Sequence, residues 1–176
     1  AAVVNVDDPK GAQLATELAA EALDVWTVSI ADNSAARLSA RHIRAGERGL
    51  VFEVVEGGKA VTLHSQVIGQ YNVLNLLEVI ACVRALGIEL QQAVDACAGM
   101  AAVPGRMEQV TEAGAPLIAV DYSHTPDALE KALQALRPLA AQRAGQLRCV
   151  FGCGGSRDAT QRPQMGRLAP TQADEV

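Results

Sequence analysis

The second half of the chain alternates between short apolar runs and helical patterns, and this order restricts the fold more than any other feature. An apolar run over Leu117–Asp121 is followed by a helical pattern over Asp127–Leu139. A second apolar run over Leu147–Phe151 leads into a glycine-rich loop and then a helix that begins near Pro163. Strand, helix and strand in this order are typical of a βαβ unit. We therefore expect an α/β fold with a mainly parallel sheet in this half.

The first half combines β-type and helical patterns. Glu56-Gly57-Gly58-Lys59 separates two apolar runs, which is the pattern of a β-hairpin with a tight turn. Before it we expect strands over Ala1–Val6 and Val25–Ile30 with a helix over Gly11–Ala22 between them, and after it helices over Asn72–Leu86 and Glu89–Ala98. The break at Val103-Pro104-Gly105 indicates a domain boundary, which divides the chain into residues 1–102 and 103–176.

Composition limits the possible partners and compartment. The formal net charge of -5 gives no support for nucleic acid binding, which depends on clustered Lys and Arg. We identify no membrane-spanning run and no leader, and four cysteines without a C-x-x-C pair are typical of buried thiols in a reducing compartment, so we expect a cytoplasmic protein. A zinc site would require better ligand spacing. The chain does not begin with Met, and both ends suggest cuts through a longer protein.

Two loops that follow predicted strands are candidate binding sites, because ligands of open parallel sheets lie beyond the carboxyl ends of the strands. They are residues 121–126 and residues 152–158. The glycines of the second loop would let a phosphate approach backbone N–H groups, but a plain tight turn is also possible. The spacing is G-x-G-G, so a dinucleotide-binding module, which needs G-x-G-x-x-G, is a weaker alternative.

Single residues in these regions leave their roles open. Asp121 could equally be a turn or capping residue, and His124 a loop histidine. Arg106 could be a surface charge. Asn72 could cap a helix, although together with Asn75 it could also present two amides to one heterocycle.

A series of motifs in a fixed order resolves these alternatives through resemblance. The chain resembles the Mur ligases of peptidoglycan synthesis, from about Val3 to its last residue and most weakly over Ala31–Val67. The motifs are IGQYNVLNLL (68–77), VPGRME (103–108), VDYSHTPDAL (120–129), VFGCGGSRD (150–158) and RPQMG (162–166).

The resemblance implies a fold and an activity. Residues 1–102 would be the C-terminal part of a central ATP-binding domain, and residues 103–176 the N-terminal part of a Rossmann-like C-terminal domain. The expected reaction is ATP-dependent: an acyl phosphate forms on the D-glutamate of UDP-N-acetylmuramoyl-L-alanyl-D-glutamate, and the amine of meso-diaminopimelate attacks it. ATP and Mg²⁺ would be the cofactors. A ligase that adds L-lysine and a non-catalytic nucleotide-binding truncation remain alternatives, and exposed sheet edges would allow self-association.

The resemblance also implies roles for individual residues. An Arg suits a substrate carboxylate because its guanidinium can form two parallel hydrogen bonds. The implied assignments are Asn72 and Asn75 at the adenine, Arg106 at the nucleotide, Asp121 at the ribose hydroxyls, His124 lining the same cleft as the candidate catalytic residue, and Arg157 at a carboxylate of the diamino acid.

Three departures from the family pattern affect these expectations. Ser156 stands where many relatives are expected to carry Asp. The sequence also contains no G-x-x-x-x-G-K-[ST] phosphate loop, and no metal ligands can be assigned. We therefore expect that this chain alone does not form peptide bonds.

Overall fold

A computed structural model describes residues 1–31, 35–46, 49–112, 114–155 and 158–176. The chain divides into two compact units, Ala1–Ala101 and Ala102–Val176, which are described separately below. Within the described residues, no helix is long and apolar enough to cross a membrane. The mixed α/β class expected from the sequence is confirmed.

The first unit is a five-stranded mixed sheet with helices packed against it. The strand order is β1-β2-β3-β4-β5; β1 to β3 are parallel, and β3 to β5 are antiparallel. The predicted strands and hairpin are confirmed, but β3 was not predicted as a strand. The elements are β1 (Ala2–Asn5), α1 (Pro9–Ala20), β2 (Val25–Ser29), β3 (Leu38–Ala45), β4 (Leu50–Glu56), β5 (Lys59–His64), α2 (Tyr71–Ala85) and α3 (Leu90–Ala98).

The turn between β4 and β5 explains why the sequence has two consecutive glycines there. Glu56 pairs with Lys59, so Gly57 and Gly58 alone form the connection. Both have positive φ, at 55° and 84°. A two-residue turn of this kind matches the right-handed twist of the strands, and it favours glycine because a Cβ is strained at positive φ.

The core of the first unit forms between α2 and the sheet. Helix α2 contacts β1, β2 and β3. Its residues Val73, Leu77 and Ile80 follow one another at helical spacing and are fully buried, as are Val28 and Val54 in the sheet. The periodicity that predicts this helix is therefore the pattern of its buried face.

The single tryptophan of the chain lies among charged side chains. The Trp26 indole donates to Asp24 Oδ2 at 2.9 Å, and the Arg37 guanidinium carbon lies 3.4 Å from the ring centroid. Arg84 lies 5.8 Å from the same centroid and donates to both carboxylate oxygens of Glu56, at 2.7 and 3.1 Å. The hydrogen bond to Glu56 raises the pKa of Arg84. Trp26 is almost fully buried, so its fluorescence reports on the folding of the first unit.

The second unit consists of a two-stranded ribbon and two long helices. Strands β6 (Glu108–Val110) and β7 (Ile118–Val120) are antiparallel. Helices α4 (Pro126–Gln142) and α5 (Gln161–Gln172) pack on each other through a cluster that includes Leu129, Leu133 and Met165. Thr125 Oγ1 accepts from Ala128 N at 3.3 Å, and Pro126 occupies the first helical position, as the sequence predicts.

The predicted strand over residues 147–151 is reduced to one parallel bridge, between Arg148 and Glu175. Cys149 N donates to Glu175 O, and Asp174 N donates to Leu147 O, each at 2.8 Å. The Asp174 carboxylate accepts from Leu147 N and from Arg137, and these bonds hold its pKa below the usual range. A strand is defined by continuous pairing with a neighbour, and within the described residues the pairing stops after these two positions.

Candidate functional site

The two candidate adenine-binding asparagines lie in the first turns of α2, in the first unit. Asn72 is not the N-cap, as it could have been; Gln70 occupies that position. Instead, Asn72 Nδ2 donates to Ile68 O at 2.7 Å, and Asn75 Nδ2 donates to Asn72 Oδ1 at 2.9 Å. These two hydrogen bonds fix both amides. They leave Asn75 Oδ1 and one N–H of each amide for other partners. The pair can therefore offer both a donor and an acceptor to a heterocycle.

A tight turn at the start of the second unit places Arg106. Gly105 N donates to Glu108 Oε2 at 2.8 Å, and Met107 N donates to Asp121 Oδ2 at 2.9 Å. Met107 has a φ of 49° and a fully buried side chain. A left-handed non-glycine residue is held in place by its surroundings, here by burial and by the bond to Asp121. The exposed Arg106 guanidinium lies 5.3 Å from the Tyr122 ring centroid, which suits a cation–π contact.

Asp121 is half-buried and directly follows β7. Its Oδ2 accepts from Met107 N, and its Oδ1 accepts from the Ser123 hydroxyl, which also lies 3.1 Å from Ala128 O. A carboxylate offers about four acceptor positions, so about two remain for ligand hydroxyl groups. The same bonds also let Asp121 hold the turn at Met107. A structural role in the turn and a role in ligand binding are therefore compatible in this one residue.

His124 is exposed, and a backbone contact fixes its ring. Nδ1 lies 3.0 Å from Tyr122 O. A carbonyl oxygen can only accept, so Nδ1 carries a proton and Nε2 is the acceptor of the neutral ring. The ring also stands edge-on to Tyr122, with centroids 5.4 Å apart. The contact thus orients the ring with Nε2 available as a hydrogen-bond acceptor.

An open cleft of about 480 Å³ brings the two predicted loops of the second unit together. Asp121, Ser123 and His124 line it from the loop after β7, and Gly152 to Gly154 line it from the glycine-rich loop. Apolar side chains from α4 and α5 complete the lining, among them Leu129 and Met165. The cleft therefore lies where an α/β fold is expected to bind its ligand.

Of the remaining predicted site residues, only Arg106 can be compared with this cleft. Arg106 does not line it. Asn72 and Asn75 belong to the first unit, which is described on its own. Arg157 and Ser156 lie outside the described residues. Within the part of the chain that is described, no group of three or more His, Cys, Asp or Glu side chains could hold a metal ion.

Arg162 is a cleft residue whose contacts the sequence did not predict, and two cysteines that were expected to be buried are exposed. Arg162 lines the cleft and donates to two carbonyls of the glycine-rich loop. Its only sequence signal is its position in RPQMG, after the glycines. Cys82 is exposed because its position falls on the side of α2 turned away from the sheet. Cys153 is exposed because it belongs to the glycine-rich loop, whose residues 152–155 are all exposed.

Comparison with known proteins identifies the family. The profile described as "Mur ligase middle domain" matches residues 1–83, and the one described as "Mur ligase, glutamate ligase domain" matches residues 105–176. Together these two matches cover most of the chain, which belongs to the Mur ligase family. The enzymes of this family are ATP-dependent ligases.

Individual relatives agree with this assignment. The chain is 59% identical over its whole length to the UDP-N-acetylmuramoyl-L-alanyl-D-glutamate--2,6-diaminopimelate ligase of Acidovorax sp. (strain JS42), of which it covers 35%. It is 44% identical to the ligase of the same name from Janthinobacterium sp. (strain Marseille), over 96% of this chain and 34% of that protein. The chain thus spans about a third of the length of the curated relatives it matches.

Solved structures show the same architecture. A structure of a UDP-N-acetylmuramoyl-L-alanyl-D-glutamate--2,6-diaminopimelate ligase superposes with a TM-score of 0.70 at 30% identity, over 97% of this chain and 34% of the other. A folylpolyglutamate synthetase from Lactobacillus casei gives a TM-score of 0.70 at 20% identity, over 94% of this chain and 40% of the other. The second likeness concerns the fold alone.

Proposed function

We propose that this chain is part of an ATP-dependent ligase that joins meso-diaminopimelate to UDP-N-acetylmuramoyl-L-alanyl-D-glutamate in the cytoplasm. The observation that carries the proposal is the 59% identity, over the whole of this chain, to a ligase named for this reaction. We also propose that residues 1–102 belong to its central ATP-binding domain and residues 103–176 to its C-terminal domain. The partners are small molecules, with no nucleic acid and no membrane.

Four residues are proposed to bind the nucleotide. The fixed amides of Asn72 and Asn75 suit the donors and acceptors of adenine, and the two remaining acceptor positions of Asp121 suit the ribose hydroxyls. The positive charge of Arg106, held beside Tyr122, suits the phosphate groups. When bound, ATP supplies the phosphoryl group that activates a substrate carboxylate. No Mg²⁺ site can be assigned to the described residues.

His124 and Arg157 are proposed to act on the reacting substrates. The neutral His124 ring can accept a proton at Nε2, which suits the amine that loses a proton as the peptide bond forms. Arg157 is proposed to bind a carboxylate of the incoming diamino acid through its fork of N–H donors. Positioning of the amine beside the activated carboxyl group then contributes much of the rate.

A chimera tests the activity. In the Acidovorax ligase, the aligned segment is replaced by this chain, and phosphate release is measured with ATP, the UDP-muramoyl dipeptide and an amino acid. We expect release that depends on meso-diaminopimelate. An inactive chimera that is folded would refute the proposal.

Variants of the same chimera test the nucleotide site. Asp121→Ala and Arg106→Ala are expected to raise the KM for ATP, because each removes a charged partner of the nucleotide. Asp127→Ala is the matched control, since its carboxylate pairs with Lys131 on the exposed surface of α4. An unchanged ATP dependence in both variants would contradict the assignment.

The isolated 176-residue chain provides a further comparison. We expect no turnover, because its sequence holds no phosphate-binding loop. Calorimetric titration with ATP then shows whether it binds nucleotide without catalysis, and light scattering shows whether sheet edges cause self-association. Phosphate release by the pure chain would contradict the expectation.

A further inference from the structure

Arg162, in the first turn of α5, is hydrogen-bonded to the glycine-rich loop. Its Nη2 donates to Gly154 O at 3.2 Å and to Gly155 O at 2.6 Å. One nitrogen therefore reaches two consecutive backbone carbonyls. Hydrogen bonds from a charged donor are about twice as strong as neutral ones, so this contact is well suited to fixing a short segment.

A second contact ties the same loop to α5. Cys153 Sγ lies 3.8 Å from Met165 Sδ, and Met165 is almost fully buried between α4 and α5. After the loop, Asp158 Oδ1 accepts from Thr160 N at 2.9 Å and from Thr160 Oγ1 at 2.7 Å, and these bonds lower the pKa of Asp158. The loop is thus held by contacts to the first turns of α5.

Gly152 and Gly155, at the two ends of the described loop, stand in open space. A Cβ added at Gly152 or Gly155 would meet nothing within 4 Å, and neither residue has a positive φ. Neither crowding nor backbone strain therefore accounts for these glycines. They leave open space along the cleft. They also make the backbone of the loop more flexible, because glycine has more accessible conformations than other residues.

We propose that Arg162 is a positioning residue, which holds the Gly152–Gly155 loop in the conformation that binds the amino-acid substrate. This inference rests on the proposed function, because Arg157, the proposed carboxylate ligand, follows Gly155 by two positions in the sequence. Arg162 acts through the loop and need not contact the substrate. Loss of Arg162 therefore disorders the loop, and the disorder in turn lowers the affinity for the amino acid.

Three variants separate this role from a general effect of charge. Arg162→Met removes every donor while keeping an unbranched apolar stem. Arg162→Lys restores a single nitrogen with enough hydrogens for two carbonyls. Arg167→Met removes the same charge from an exposed position of the same helix and is the matched control.

The first measurement is the backbone order of the glycine-rich loop in the 176-residue chain, from ¹⁵N relaxation. We expect order parameters near 0.85 for Gly154 and Gly155 in the wild type and in Arg167→Met, and values below about 0.6 in Arg162→Met. Arg162→Lys should recover most of the order. Equal order parameters in the wild type and Arg162→Met, or an equal loss in Arg167→Met, would overturn the proposal.

The second measurement uses the chimeric ligase. Because a loop that is disordered before binding must be ordered by the substrate, which weakens affinity, we expect the KM for meso-diaminopimelate to rise about tenfold in Arg162→Met. The KM for ATP should change less than about twofold. Equal rises in both KM values would overturn the role in amino-acid binding. An inactive wild-type chimera would refute the proposed function, while the relaxation measurement still decides whether Arg162 orders the loop.

Discussion

Replacing Asp121 by alanine should destabilise the second unit even in the absence of nucleotide. The carboxylate accepts from Met107 N at 2.9 Å and from Ser123 Oγ. Ser123 can turn its hydroxyl to Ala128 O, 3.1 Å away, so only Met107 N–H loses its partner. A hydrogen bond to a charged group contributes about 1.5–3 kcal/mol. Because Asp121 is half-buried and water can reach it, we expect the lower limit, about 1.5 kcal/mol.

Urea unfolding of the 176-residue chain measures this loss. With a denaturant dependence of about 1–3 kcal/mol per molar urea, the midpoint should fall by about 0.5–1.5 M. Far-UV circular dichroism follows both units, whereas Trp26 fluorescence follows the first. A shift in the dichroism that is smaller in the fluorescence therefore assigns the loss to the second unit.

The control is Asp127→Ala, whose ion pair with Lys131 joins side chains that are 73% and 62% exposed. Such a pair contributes at most about 0.5 kcal/mol, so its midpoint should fall much less. If Asp121→Ala unfolds at the same urea concentration as the wild type, then Asp121 does not hold the left-handed turn at Met107. The structural half of its role would be wrong.

Three further predictions concern other parts of the chain. Gly58→Ala should cost about 1 kcal/mol, because the residue has a φ of 84° but open space around it; Trp26 fluorescence in urea measures the change. The pKa of Asp174 is lowered in the folded state, so its contribution is complete above the unfolded pKa of about 3.9 and is lost as the pH falls; Asp174→Asn should flatten the dependence of the urea midpoint on pH below about 4. A thiol reagent should label Cys82 and Cys153 rapidly and the two buried cysteines slowly, since burial raises the pKa of those thiols. Mass spectrometry after timed labelling resolves the sites. Equal labelling rates at all four cysteines would contradict the burial.

The elements that the sequence predicts well are those whose pattern is local. The stripe of α2 and the Gly57-Gly58 turn are determined by residues close together in the chain, and both are confirmed. Strand β3 was not predicted because buried and exposed residues do not alternate along it. Leu38 to Ala40 are all buried, whereas Arg41 and His42, at a bulge, are both exposed. An irregular strand of this kind has no period to detect.

The candidate site shows a similar division. Asp121, His124 and the glycines could be named from motifs that follow strands, and the cleft brings them together. The role of Arg162 could not be predicted, because its partners are backbone carbonyls, which have no sequence signature. Likewise, the bond between Met107 N and Asp121 joins two residues through main-chain geometry that no motif expresses.

That bond also separates the tip of the β6–β7 ribbon from its base. It closes the base, while the tip between the strands turns back through a bond from Ala115 N to Glu112 O at 3.0 Å, beside Gly114 with a φ of 81°. The described tip residues, 111–112 and 114–117, are exposed or half-buried and do not belong to the buried cluster of the helices. Exposed turns with these properties accept inserted residues. The ribbon tip is thus a natural place to add an epitope or a fluorescent label without altering Arg106 or Asp121.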